Sequence, residues 1–312
     1  MSPSPSLLIV GVPRSGTTWT GRVLGRTEGA VYVNEPDGFR DPFAFRVMLA
    51  RGENPIVAGT ESAPDYDRLW QGAFAGGEPA GTVRDRLARL VYDRTPLDDR
   101  RSARADGRVR LRLRLASAAA EPRRAAPTDG PVVVKSVQSI LALDWVWERF
   151  RPRVLVVERN PLNVLASWIE LGYVRNARER DAIAAFASRR WGIAPPEPGS
   201  PQLVHQAFTY ATLATELREA AGRHPEWTVV RHEELCVEPS TSFRALAERV
   251  GLVFGPAAEQ FLGESDAEGT PYRTLRRTAE QPERWRERLD AEQVATIRDV
   301  LSRFPGALVP DA

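Results

Sequence analysis

The chain of 312 residues is 42% hydrophobic, enough to bury a sizeable core as one large α/β domain or two small ones. Its formal net charge of +2 excludes the global basic field of a nucleic-acid binder. The single cysteine, Cys236, excludes an intrachain disulfide and a cysteine-based zinc site, and His205, His224 and His232 lack the further ligands of a metal cluster. The basic residues are overwhelmingly arginine. That suits bidentate grips on phosphate or sulfate oxygens, and it equally suits a chain that is simply rich in Arg and Ala.

The start, Met1-Ser2-Pro3-Ser4-Pro5-Ser6, has no basic cluster. The apolar stretch Leu7–Val12 stops at Pro13, far short of a signal or membrane segment. A cytoplasmic protein with no membrane partner is the expectation. Leu7-Leu8-Ile9-Val10 predicts a buried strand, Gly11–Gly16 a Gly-containing loop, and Thr18 to about Arg26 a helix that Thr17 or Thr18 can cap. Val31-Tyr32-Val33 predicts a second strand, ending in Asn34-Glu35-Pro36.

Residues 51–130 hold many Gly, Pro and Arg, with one helix predicted near Thr82–Tyr92. The alternation Arg108-Val109-Arg110-Leu111-Arg112-Leu113-Arg114-Leu115 fits a strand with one charged face or a helix with snorkelling arginines. About 50–130 reads as an elaboration of a single domain spanning 1–312.

Further on the pattern sharpens. Strands are predicted at Pro131–Lys135, Arg153–Val157 and Trp227–Arg231. Helices are predicted at Leu141–Phe150, from Pro161 to about Leu171, and at Leu203–Ala221, Ser240–Val250 and Ala291–Phe304. Ala194–Pro201, rich in proline, reads as a mobile loop. Alternating strands and helices argue for an α/β fold with a central parallel sheet flanked by helices, three layers in all.

Two segments carry chemistry. A strand, a Gly turn and a helix form a phosphate-binding architecture, because backbone N–H groups of the turn and helix N-terminus point at the anion. Against the nucleotide-triphosphatase pattern G-x-x-x-x-G-K-[ST], Gly11 and Gly16 match, and Thr17 stands where the lysine belongs. Arg14 supplies the cation instead. That counts against a P-loop kinase or hydrolase, which stays as the alternative. The second segment, Arg159-Asn160-Pro161-Leu162-Asn163-Val164-Leu165-Ala166-Ser167, follows an apolar strand. Arg159 stands at the strand's carboxyl end, where open α/β sheets place ligands. Ser167 follows about two helical turns later, so an Arg fork and a hydroxyl can face one phosphate.

Pro13-Arg14-Ser15-Gly16-Thr17-Thr18-Trp19 resembles the 5′-phosphosulfate loop of the sulfotransferases that use 3′-phosphoadenosine-5′-phosphosulfate (PAPS), P-[KR]-S-G-[TS]-T-W. Arg159–Ser167 resembles their second motif, R-[ND]-P-x-[DN]-x-x-x-S, with Asn163 where Asp is frequent. The resemblance implies a P-loop-like fold. It implies that Arg14 grips the phosphosulfate bridge and that Ser15, Gly16, Thr17 and Thr18 cradle the 5′-phosphate. Trp19 would stack on adenine, and Arg159 and Ser167 would hold the 3′-phosphate. Arg276-Arg277-Thr278 resembles the basic loop that closes over that phosphate, with Thr278 departing from the pattern. Val229–Leu235 resembles a structural segment of the family.

The same resemblance bears on mechanism. Relatives acting on phenols carry a His after the lysine of the third strand, where this chain has Lys135-Ser136-Val137. Carbohydrate-acting and some bacterial relatives use a Glu in a string like Asn34-Glu35-Pro36. The implied base is therefore Glu35, with Arg14 and Lys135 as the cations near the transferred group and His205 as a fallback base. The implied reaction is in-line sulfuryl transfer from PAPS, without a metal, to a hydroxyl or amine of a small-molecule, natural-product or carbohydrate acceptor. A homodimer is compatible with the sequence. A noncatalytic protein on this scaffold is the second alternative.

Overall fold

The computed structural model describes residues 6–75, 82–96, 100, 111–122, 128–265 and 282–306. Five strands, β1 (Leu7–Val10), β2 (Val31–Asn34), β3 (Val132–Ser136), β4 (Arg153–Glu158) and β5 (Thr228–Arg231), form one sheet in the order β2-β3-β1-β4-β5. β2 pairs parallel with β3, and β4 with β5. All residues of β1 and β3 are buried, as is the apolar run of β4, which is why these strands read as continuous hydrophobic stretches. The fold is α/β, with the sheet flanked by helices.

The chain divides into two compact units, residues 1–8 with 29–153, and residues 9–28 with 154–312. The first carries β2, β3 and the helices α2 (Pro42–Arg51), α3 (Pro64–Phe74), α4 (Val83–Asp93), α5 (Leu111–Ala119) and α6 (Leu143–Phe150), with a 3-10 turn at Ile140–Ala142. Asp41 caps α2 by accepting from the amides of Phe43 and Ala44. Its other oxygen takes Arg89 Nη1 at 2.6 Å, while Arg89 Nε donates to Asp85 at 3.0 Å. One guanidinium thus ties α4 to the cap of α2.

The alternating Arg/Leu stretch resolves as a helix over its described part. A strand would bury Leu111, Leu113 and Leu115 on one face. Instead α5 buries Leu113, Ala116 and Ser117, at helical spacing, and leaves Leu111 and Leu115 exposed. Leu113 and Ala116 join Phe45, Met48 and Tyr92 in one apolar cluster, so packing against α2 and α4 selects the helical period. Residues 101–110 lie outside the described set.

The second unit carries α1 (Thr17–Leu24), α7 (Pro161–Glu170), α8 (Ala177–Trp191), α9 (Gln202–Arg223), α10 (His232–Val237), α11 (Pro239–Arg249), α12 (Pro256–Ser265) and α13 (Ala291–Ser302), with a 3-10 turn at Arg284–Glu287. Neither Thr17 nor Thr18 caps α1. The cap is Gly16 at φ 96°, with no side-chain hydrogen bond, because the backbone enters through a left-handed turn. By contrast α7 has Asn160 accepting from the Leu162 amide and Pro161 at its first position. Residues 194–201 form no helix or strand. Among the described residues, no helix is long and apolar enough to cross a membrane.

Candidate active site

The turn after β1 is bent by two left-handed residues, Arg14 at φ 77° and Gly16 at φ 96°. The first is rare outside glycine and costs free energy, which the surroundings must over-determine. They do so from several directions. The Ser15 amide donates to Val12 O at 2.9 Å, Trp168 Nε1 to Pro13 O at 3.0 Å, and Arg159 Nη1 to Arg14 O at 3.0 Å. Below the turn, a Cβ on Gly16 would stand 2.3 Å from His232 Nδ1, and one on Gly11 would stand 2.5 Å from Val157 O. Neither glycine has room for a side chain.

Arg14 Nε donates to Ser167 Oγ at 3.0 Å. The loop and the clamp, 145 residues apart from Arg14 to Arg159, are thereby one constellation. Arg159 stands where β4 ends, and Tyr210 Oη donates to its carbonyl at 3.3 Å. The Asn160 amide donates to Glu233 Oε1 at 2.9 Å, joining the clamp to the segment after β5.

This set fits a bound phosphate. Ser15 Oγ is buried with no hydrogen-bond partner among the described residues. The first amides of α1 have no side-chain cap. An orphaned hydroxyl and uncapped helix amides beside two arginines are the donor set of an anion cradle. Thr17 is buried and Thr18 half-buried in the first turn of α1.

Trp19, expected against adenine, has its indole edge-on to Phe243 at 4.8 Å and to His232 at 5.7 Å. Its Nε1 donates to Ser265 Oγ at 3.0 Å, and 7% of its surface is exposed. Asn163 is buried and satisfied at both ends: Nδ2 donates to Pro282 O at 2.7 Å, and Oδ1 accepts from the Trp285 amide at 3.1 Å. It anchors the segment after the basic string. Arg276, Arg277 and Thr278 themselves lie outside the described residues.

Glu35 and Lys135 meet in the first unit. The β2–β3 register sets Asn34 opposite Lys135, and the Glu35 amide donates to Lys135 O at 2.7 Å. Lys135 Nζ donates to Glu35 Oε1 in an ion pair. Lys135, the only lysine of the chain, is 2% exposed, while about a third of the Glu35 side chain is exposed. Glu35 has a left-handed backbone, φ 48°. Its Oε2 has no hydrogen-bond partner among the described residues.

Two residues here escaped the sequence reading. Asp37 is buried, and its Oδ2 accepts from Ser136 Oγ at 2.6 Å. Ser136 Oγ in turn accepts the amides of Gln138 and Ser139 at 3.1 Å. Burial pushes the Asp37 carboxyl up to about 7. The Ser136 hydroxyl works against that rise and the Glu35 charge adds to it. The one available signal was a second carboxylate two positions past Glu35. His232 lies in the segment Val229–Leu235, and its place under Gly16 follows only from the fold. Among the described residues, no group of three or more His, Cys, Asp or Glu could hold a metal ion.

No family model matches the chain, and no curated protein does. Sulfotransferases are among the solved structures to which it is similar, as is a retinol dehydratase. The sulfotransferase domain from the Synechococcus PCC 7002 olefin synthase is 13% identical over 96% of this chain and 94% of that one, with a TM-score of 0.48. The sulfotransferase domain from the curacin biosynthetic pathway is 13% identical over 97% and 98%, with a TM-score of 0.45. Sulfotransferase STF9 from Mycobacterium avium is 13% identical over 100% and 79%, with a TM-score of 0.42. At such identities no residue role passes from those proteins to this chain.

Proposed function

We propose that this chain is a sulfotransferase that takes its sulfuryl group from PAPS. The observation carrying the reading is the convergence of Arg14, Ser167 and Arg159 at a turn with an orphaned Ser15 hydroxyl and an uncapped α1. Arg14, Ser15, Gly16, Thr17 and Thr18 would hold the 5′-phosphate side. Arg159 and Ser167 would hold the 3′-phosphate, with Arg276, Arg277 and Thr278 completing that side. When bound, the nucleotide supplies the sulfuryl group.

The protein's own part is positioning and charge. Glu35 would accept the proton of the acceptor hydroxyl or amine through its open Oε2. Lys135 keeps that carboxylate aimed, and with Arg14 it would offset negative charge on the departing oxygen. The acceptor is a small molecule, natural product or carbohydrate, attacked in line, and residues 50–130 would shape its side of the site.

Two measurements test the reading. The product nucleotide, 3′-phosphoadenosine-5′-phosphate (PAP), should raise the melting temperature of the purified protein, and ³⁵S should pass from labelled PAPS to an acceptor in a metabolite screen. Absence of stabilisation by PAP overturns the proposal. Stabilisation by Mg-ATP exceeding that by PAP would favour a P-loop kinase or hydrolase.

A further inference from the structure

A second polar cleft, open to solvent along one side, lies among α7, α8 and α9, with about 280 Å³ of space counting its open mouth. One wall is aromatic, with the rings of Trp168 and Tyr173 packed at 4.8 Å. Arg180 and His205 also line the cleft, with Gln202 and Thr209 beside them.

The charge balance of this cleft is lopsided. No carboxylate lines it among the described residues. Glu179 is engaged by Arg175 at 3.5 Å, with both side chains 4% exposed. Arg180 is half-buried and has no ion-pair or hydrogen-bond partner among the described residues. It contrasts with Arg190, further along α8, which pairs with both Glu216 and Glu219. His205 sits in the first turn of α9, whose free amides add positive potential. Burial, and then the Arg180 charge, pull the His205 pKa below its ordinary value, so near neutral pH the ring is uncharged and can donate one hydrogen bond.

We propose that this cleft binds a small organic anion, a carboxylate or phosphate held by Arg180 and His205 with its apolar body against Tyr173. A planar guanidinium grips either group bidentately, and the ring N–H supplies a further donor. The cleft is separate from the Arg14–Ser167 cradle, with Trp168 standing between them: its ring lines the cleft while its Nε1 binds Pro13 O. The proposal does not depend on the sulfotransferase reading.

The test is calorimetric titration of the full chain with phenyl phosphate, benzoate and inorganic phosphate. Phenyl phosphate and benzoate should bind saturably, and inorganic phosphate more weakly. Arg180→Gln should weaken phenyl phosphate about tenfold or more and leave PAP binding unchanged. Arg189→Gln, an exposed position on the same helix, should change neither. In the unaltered chain, the His205 ring-proton resonance should shift as phenyl phosphate is added. The proposal fails if no saturable binding occurs, if the two variants behave alike, or if the His205 resonance does not move. Equal affinity for inorganic and phenyl phosphate removes the apolar contact. Parallel loss of PAP binding in Arg180→Gln assigns the arginine to the nucleotide cradle and removes the separate site.

Discussion

Arg14 Nε donates a hydrogen bond to Ser167 Oγ at 3.0 Å across 153 positions of sequence. The cation of the loop is therefore oriented by the hydroxyl of the clamp. Ser167→Ala removes that contact without burying a new polar group, since Arg14 remains half-exposed. A hydrogen bond from the Ser167 hydroxyl to a bound phosphate would be worth about 1.5–3 kcal/mol, whereas the half-exposed Arg14 can turn to water. PAP affinity should fall about tenfold by calorimetry, while the melting temperature changes little. Unchanged affinity would separate Ser167 from the nucleotide.

Asp37 predicts an unusual pH dependence of stability. Its carboxyl rises from 3.8 to about 7 on burial. The folded state then holds a proton that the unfolded chain releases, so stability declines as pH rises from about 4 to 7. Asp37→Asn keeps an acceptor for the Ser136 hydroxyl and has nothing to titrate. It should match the unaltered protein near pH 4 and exceed it at pH 8, by at most about 4 kcal/mol at about 1.4 kcal/mol per pH unit. Urea unfolding at both pH values reads the difference, and parallel pH profiles would refute it.

Gly16 is constrained twice, by its φ of 96° and by His232 Nδ1 at 2.3 Å from any added Cβ. Gly16→Ala should cost about 2–4 kcal/mol, since both backbone strain and overlap act. Replacing His232 by Ala in that variant relieves the overlap and not the strain. The double variant should therefore be more stable than the sum of the single effects by about 1 kcal/mol in a denaturant cycle. Strict additivity would mean that the ring does not support the loop.

Asn163 both donates and accepts, and aspartate can only accept. Asn163→Asp would aim a carboxylate oxygen at Pro282 O across the 2.7 Å contact. Loss of a buried donor and the new repulsion should cost about 2–3 kcal/mol. Faster proteolysis near residues 282–285 would accompany the loss. Unaltered stability would show that the anchor is dispensable.

Glu35→Gln keeps the size and shape of the side chain and removes the carboxylate proposed as the base. Turnover should drop about a hundredfold or more, as loss of a general base does. PAP affinity should stay within about twofold. Full turnover would take Glu35 out of the reaction.

Much of the scaffold was legible along the chain. Leu7–Val10, Val132–Ser136 and the apolar run of Arg153–Glu158 are buried on both faces, so their apolar character is continuous and easily read. The helices at 42–51, 64–74, 177–191, 232–237 and 256–265 are not legible along the chain. Their buried faces form only against partners elsewhere in the chain, and α8 buries just Glu179, Ile183 and Ala187. The Arg/Leu alternation at 108–115 left strand and helix both open, and contact of Leu113 with Tyr92 and Phe45 decided for the helix over its described part.

The sequence by itself determined the residue types of the turn after β1: a threonine where the Walker lysine belongs, an arginine three positions earlier, and glycines at Gly11 and Gly16. It also supplied the clamp string and its order. Only the tertiary structure decided that Ser167 orients Arg14, that His232 fills the space under Gly16, and that Asp37 is buried against Ser136. The reason is physical. Residue type and short spacing are encoded locally, whereas hydrogen-bond partners and desolvation depend on which distant side chains the packed fold brings within a few ångströms.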